Sequence, residues 1–196
     1  MPSNVDRALI SEKARALAES GDLDAIMLLV EYYENEEKDL NKVVSLLQRA
    51  AELGSSDAML KLFPYYEDGN IVEADHNMCY KLASTAFENG SLNDRAGFAL
   101  GRCYLDGIGT AVDPLKAIEY LSISLSEHDA YEVAGLYYDK AKNMLDKQTY
   151  ISWLTKKSEE IPYCKYRIGK MYEEGDVFPE NKMTAVSFYL QAAEKG

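Results

Sequence analysis

Ser126, His128 and Asp129 stand within one short stretch, Ser-Glu-His-Asp, and include the three side-chain types of a nucleophile–base–orienter chain. Such a chain needs the hydroxyl to reach one imidazole nitrogen while the carboxylate holds the other. Three side chains this close along one turn do not take up that geometry, so the stretch reads as a turn. A second candidate is Asp-Gly-Ile-Gly, Asp106 to Gly109, whose glycines could cradle a phosphate. A dinucleotide loop of that type follows a strand and opens directly into a helix. Here a helical pattern precedes the glycines and an Asp113–Pro114 pair follows them, so they read as punctuation between helices. Carboxylates are plentiful, but acid–base work needs burial to shift their ionisation, and most fall at solvent-facing positions. Cys79, Cys103 and Cys164 are far apart, odd in number and without zinc or C-x-x-C spacing, which suits buried free thiols in a reducing compartment. His76 directly follows a helix cap. The residues therefore point to no catalytic site, no cofactor and no metal. A hydrolase using paired carboxylates is the alternative.

The elements that carry these residues are set by the whole chain. Of 196 residues, 47% are hydrophobic and 28% charged, a composition that packs a core. Basic residues number 21 against 33 acidic, a net charge of −12. Such a surface repels nucleic acid and anionic membranes on average, and no basic cluster stands out along the sequence. No apolar run reaches the ~18 residues that span a bilayer, and the N-terminal segment does not read as a signal peptide. The expected location is cytoplasmic.

One pattern recurs. Ala96, Leu100, Gly101, Tyr104 and Gly107 are matched by Cys164, Ile168, Gly169, Tyr172 and Gly175, and by Ala58, Leu62, Phe63, Tyr66 and Gly69. Weaker copies run from Ala25 through Tyr33 and from Ala130 through Tyr138. The repeat tyrosines step by 33, 38, 34 and 34 residues, the period of a helical solenoid. A second helix follows in each unit. Asp39, Asp75, Asp113, Asp146 and Asn181 each stand 15 residues before a helix-ending site: Gly54, Gly90, His128, Ile161 and Gly196. Asp6 and Gly21 form a further, leading pair. Asp and Asn are strong N-caps, and glycine suits a left-handed C-cap. Between them the apolar residues follow helical spacing, as in Leu46–Leu47, Tyr120–Leu121, Trp153–Leu154 and Phe188–Tyr189.

The pattern A-x-x-x-L-G-x-x-Y-x-x-G, a loop, then D-x-x-K-A followed by two aromatic positions and A-A-E-x-G, resembles the Sel-one-like repeat, a relative of the tetratricopeptide repeat. The copies from Ala96 to Tyr120 and from Asn181 to Gly196 carry it best, and the copy from Ala130 to Ile161 departs most. The resemblance implies an all-α fold, a right-handed α-solenoid superhelix of antiparallel helix pairs. As one repeat domain over 1–196, it would hold a leading half-repeat (6–21) and pairs at 22–54, 55–90, 91–128, 129–161 and 162–196. It further implies a non-catalytic adaptor, scaffold or regulator of another protein, such as a toxin or effector. Some similar proteins carry a β-lactamase label, but the S-x-x-K motif of that chemistry does not occur here.

If the repeat Ala, Leu and Tyr face the core, residues two, six and nine after the alanine form another stripe of the same helix. It contains Met27, Glu31, Leu60, Phe98, Arg102, Leu105, Leu136, Tyr166 and Lys170. A stripe mixing apolar and charged residues suits a protein or peptide ligand in a concave groove. The acidic net charge favours a basic partner. Ser11 and Lys13 replace core residues in the leading helix, as in a capping helix. Ala185, Val186, Phe188, Tyr189 and Leu190 make the last helix broadly apolar, which predicts a shortened chain, self-association or a partner at that end.

Overall fold

The computed structural model describes residues 4–90, 93–124, 139–175 and 177–194, with side chains described from residue 12 in the first segment and from 94 in the second. The contacts divide the chain into two compact units, Met1–Leu92 and Asn93–Gly196. Among the described residues every regular element is helical.

The first unit holds α1 (Asn4–Glu19), α2 (Leu23–Tyr32, continued by a π-helical turn over Tyr33–Glu37), α3 (Leu40–Glu52), α4 (Ser56–Asp68) and α5 (His76–Glu88). Each helix packs on the next in the chain. The core is the shared apolar face: Ile26, Val30, Val43, Leu47, Leu62 and Cys79 are among the side chains almost wholly removed from water. The second unit holds α6 (Asn93–Asp106), α7 (Pro114–Ser124), helical residues 139–143, α8 (Lys147–Lys157), α9 (Pro162–Glu174) and α10 (Lys182–Ala193). The pairs α6–α7 and α9–α10 are tightly apposed, α8 packs on α9, and α9 also reaches α7. The Ser-Glu-His-Asp stretch and Leu136 lie outside the described residues.

The expected caps are in place. Asp39, Asp75, Asp146 and Asn181 each accept a hydrogen bond from the backbone N–H three residues on, at 2.9 to 3.2 Å. Asp113 accepts from the amides of both Leu115 and Lys116, each at 3.1 Å. One boundary differs: α1 starts at Asn4, so Asp6 lies inside it. No glycine or proline between Asn4 and Asp6 stops the helix from extending backwards. Ile161, where glycine is replaced, serves instead as the N-cap residue of α9 in extended backbone, followed by Pro162 at the first helical position.

Gly107 and Gly109 settle the reading of Asp106–Gly109. Both have left-handed backbone, φ 73° and 67°, just past the end of α6. Gly69 and Gly175 occupy the same place after α4 and α9. They turn the chain between paired helices. In the first pair Lys38 takes the left-handed position itself, φ 55°, and the π-helical turn takes up the shorter connection.

Candidate partner-binding surface

Glycines on α6 and α9 let the second helix of those pairs approach closely. A Cβ added at Gly101 would sit 2.5 Å from Leu121 Cγ, and one at Gly169 2.7 Å from Tyr189 Cε1. With the backbones drawn together, the repeat tyrosines stack on the partner helix. Tyr104 lies parallel to Tyr120 with ring centroids 5.6 Å apart, and Tyr172 stacks on Phe188 at 5.8 Å. Lysines at matching positions cover two of these rings: Lys42 lies 4.6 Å from the Tyr33 centroid and Lys116 4.9 Å from that of Tyr104. The tyrosines and the helix-pair glycines are thus used internally, and Trp153 is buried as a core residue.

The stripe on the first helices divides by exposure. Leu60 (9% exposed) and Leu105 (3%) lie in the interior. Met27, Phe98, Arg102, Tyr166 and Lys170 are part exposed, and Glu31 is exposed. Tyr166 rests against Tyr163 and Tyr189, both at 5.6 Å between centroids. Tyr189 in turn donates its hydroxyl hydrogen to Glu173 Oε2 at 2.7 Å. Burial, with that bond second, holds the phenol well above its ordinary ionisation range.

The electrostatics do not favour general-acid chemistry. Asp39 and Asp146 are held below the ordinary carboxylate range, chiefly by the capping amide of Lys42 and by the Thr149 hydroxyl and amide. Glu160 is lowered by Lys157, which bridges it at 2.8 Å and Glu119 at 2.9 Å. All three shifts favour the charged form, opposite to a carboxyl kept protonated for catalysis. Cys79, Cys103 and Cys164 are buried thiols outside any disulfide, and burial pushes the Cys164 thiol up to about 12. Among the described residues no group of His, Cys, Asp and Glu could hold a metal ion, and no helix is long and apolar enough to cross a membrane.

The sequence did not reveal the recesses. In the first unit, one of about 520 Å³ lies between α3 and α5 over Leu62 and Tyr66 of α4. Another, of about 270 Å³, lies between α1 and α3 over Leu29 of α2 and Tyr33 of the π-helical turn. Gln48, Ala51 and Glu52 line the first where Arg15, Ala18 and Glu19 line the second, 33 residues earlier. The recess is therefore a property of the repeat, and the tyrosine period was its sequence signal. A third, of about 330 Å³, lies in the second unit beside α8 and α9 and includes Lys170.

Paired helices joined by glycine turns, recurring at a fixed period, define the α-solenoid class of helical-repeat proteins. The Sel1 repeat family model matches residues 31–55, 56–91, 95–127 and 162–196, more than half of the sequence, and the chain belongs to that family. The matched segments leave out 128–161, the copy that departs most from the pattern. Among solved structures, the chain is similar to a Sel1 repeat protein from Oxalobacter formigenes (TM-score 0.58, 20% identity, covering 98% of this chain and 84% of that one). It is also similar to a protective antigen of uropathogenic Escherichia coli displaying an SLR fold (TM-score 0.55, 21% identity, 95% of this chain). The chain spans about half (49%) of that antigen's length.

Proposed function

We propose that this chain is a non-catalytic protein-interaction module, an adaptor or regulator that grips another protein through the exposed faces of its first helices. The observation that carries this reading is a recurrence. Two residues after the repeat Ala or Cys stand Met27, Phe98 and Tyr166, three large side chains left part exposed at one repeat offset. Solvated helix faces are normally charged, and large apolar side chains retained at the surface with charged neighbours mark contact surfaces. Within the first unit Glu31 follows Met27 by one helical turn, and within the second Arg102 and Lys170 follow Phe98 and Tyr166 by one turn, so each has a charged neighbour on its own helix. Leu60 and Leu105 underlie the surface rather than forming it. The net charge of −12 steers basic partners toward the module as a whole. A second contact surface is the outer face of α10, through which the chain associates with itself or a partner.

The test is affinity capture with the wild-type chain, a Phe98→Asp, Tyr166→Asp variant and a control altered at Lys61 and Lys81, with folding checked by circular dichroism. A partner retained by wild type and control and released by the Asp variant is expected. A partner held equally by all three overturns the surface assignment.

A further inference from the structure

We infer that the recess formed by residues 142–143, the start of α8 and the exposed flank of α9 receives a short acidic segment of a protein partner, whose carboxylates Lys142, Lys147, Arg167 and Lys170 hold. This rests on the interaction-module reading and names the chemistry of one partner segment. The recess lies wholly within the second unit and has a volume of about 330 Å³. Among the described residues, four basic side chains line it against one carboxylate, Glu174. In a chain with 21 basic and 33 acidic residues, that is a local reversal of sign. The recess of about 520 Å³ in the first unit is balanced, Lys81 against Glu52.

The state of these cations separates this recess from the other basic one. Beside α1 and α3, Arg49 donates to the Glu19 carbonyl at 2.7 Å, and Lys42 is paired with Glu37 at 3.2 Å and Asp39 at 3.3 Å. Arg49 thereby ties α3 to the end of α1. In this recess Arg167 meets Asp139 at 3.7 Å and Lys170 meets Glu174 at 3.5 Å. The Lys170 and Glu174 side chains are both exposed, and an exposed pair of this kind is weak. An incoming carboxylate displaces Glu174 from Lys170 at little cost. The Arg167 side chain is largely buried, which fixes its guanidinium, and the guanidinium fork matches a carboxylate.

The floor specifies more than charge. Tyr150 and Met171 are buried beneath the recess, and the Lys142 ammonium lies 5.6 Å from the Tyr150 ring centroid. A ligand that fills the site therefore needs an apolar side chain beside its acidic ones. The volume is at the low end of ligand pockets, ~300–1,000 Å³, and suits a few residues of extended chain. A phosphate ion would use the cations and leave the apolar floor unmatched.

Fluorescence anisotropy with the full chain tests this, using a labelled hexapeptide of alternating Glu and Leu, its Gln–Leu counterpart, and inorganic phosphate as competitor. The Glu–Leu peptide is expected to bind, more weakly as salt rises. Lys147→Gln with Lys170→Gln should weaken it about tenfold or more, while Lys156→Gln with Lys182→Gln leaves it unchanged. Arg167→Gln, checked for folding, should weaken it further. Equal binding of the Gln–Leu peptide, or no effect of the Lys147 and Lys170 changes, overturns the inference. Phosphate bound in the recess with no binding of the peptide also overturns it. If Phe98→Asp with Tyr166→Asp releases a captured protein while the recess variants do nothing, this inference fails and the interaction reading stands.

Discussion

The carbonyl oxygen of Tyr104 accepts a hydrogen bond from the Asp113 N–H at 2.8 Å, and the Asp113 side chain then caps α7. Tyr172 and Asn181 are joined the same way at 2.8 Å, Tyr66 and Asp75 at 2.9 Å, and Tyr33 and Asp39 at 3.1 Å. The first three loops place the cap nine residues after the tyrosine, and the last places it six. One Asx residue thus closes the loop with its backbone and starts the second helix with its side chain, whatever lies between. Asp113→Ala should lower unfolding stability by about 1 kcal/mol, the usual cost of an N-cap, while Asp113→Asn is nearly neutral. Urea titration monitored by circular dichroism checks both.

Gly101→Ala should destabilise by about 1–3 kcal/mol, because its new methyl would overlap Leu121 and either helix must shift. Gly169→Ala should behave alike against Tyr189. Gly54→Ala makes a contrast, since nothing lies within 4 Å and its cost comes only from the left-handed backbone, φ 91°. A double-mutant cycle of Gly101→Ala with Leu121→Ala should be non-additive, whereas Gly54→Ala with Leu121→Ala should add.

The caps and glycine turns were legible because each is a local rule repeated in phase: an Asx residue, a fixed helix length, a glycine. The exposure of the first-helix stripe was less so. Leu60 and Leu105 share offsets with Met27 and with Glu34 and Glu67, yet both are buried, because a helix's rotation is set by its neighbours as well as its own periodicity. The basic recess was hidden for a different reason. Lys142 and Lys147 are twenty or more residues from Arg167 and Lys170, and each charge alone reads as a solvated residue. The available signal was Arg167 and Lys170, three apart on one helix face of an acidic protein.

Acid should weaken the fold in a defined window. The ionisation of Asp39, Asp146 and Glu160 is displaced downward in the folded chain. Their stabilisation is therefore fully present above the unfolded value, about 4, and is lost as pH falls through the lower folded values. The urea midpoint should be level from pH 7 to about 5 and drop below about 4. Asp146→Ala should lower the neutral midpoint and flatten the acid drop. A midpoint that rises on acidification contradicts the assignment.

Cys164 should be silent to thiol reagents while the chain is folded. The thiolate is the nucleophile, and burial raises this thiol to about 12, so at pH 8 almost none is ionised or reachable. Labelling with iodoacetamide, followed by peptide mass spectrometry, should report Cys164 only above the unfolding transition in urea. Rapid labelling in native buffer would show that the α9 core opens locally.

The outer face of α10 predicts association. Met183, Val186 and Leu190 are 84%, 53% and 60% exposed and stand on one side of the helix. Val186 lies five residues after its cap, where Ile118 lies after Asp113 and Val44 after Asp39. Ile118 and Val44 are buried. At that repeat position the helices α3 and α7 are covered and α10 is open, so the face has the chemistry of a surface made to be packed upon. Sedimentation velocity from low to high micromolar should show mass increasing with concentration for the wild-type chain. Val186→Glu with Leu190→Glu should abolish the increase and leave the circular dichroism spectrum unchanged, because neither side chain supports the core. A wild-type chain that stays monomeric throughout, with the variant identical to it, would mean that this face does not bind a second copy.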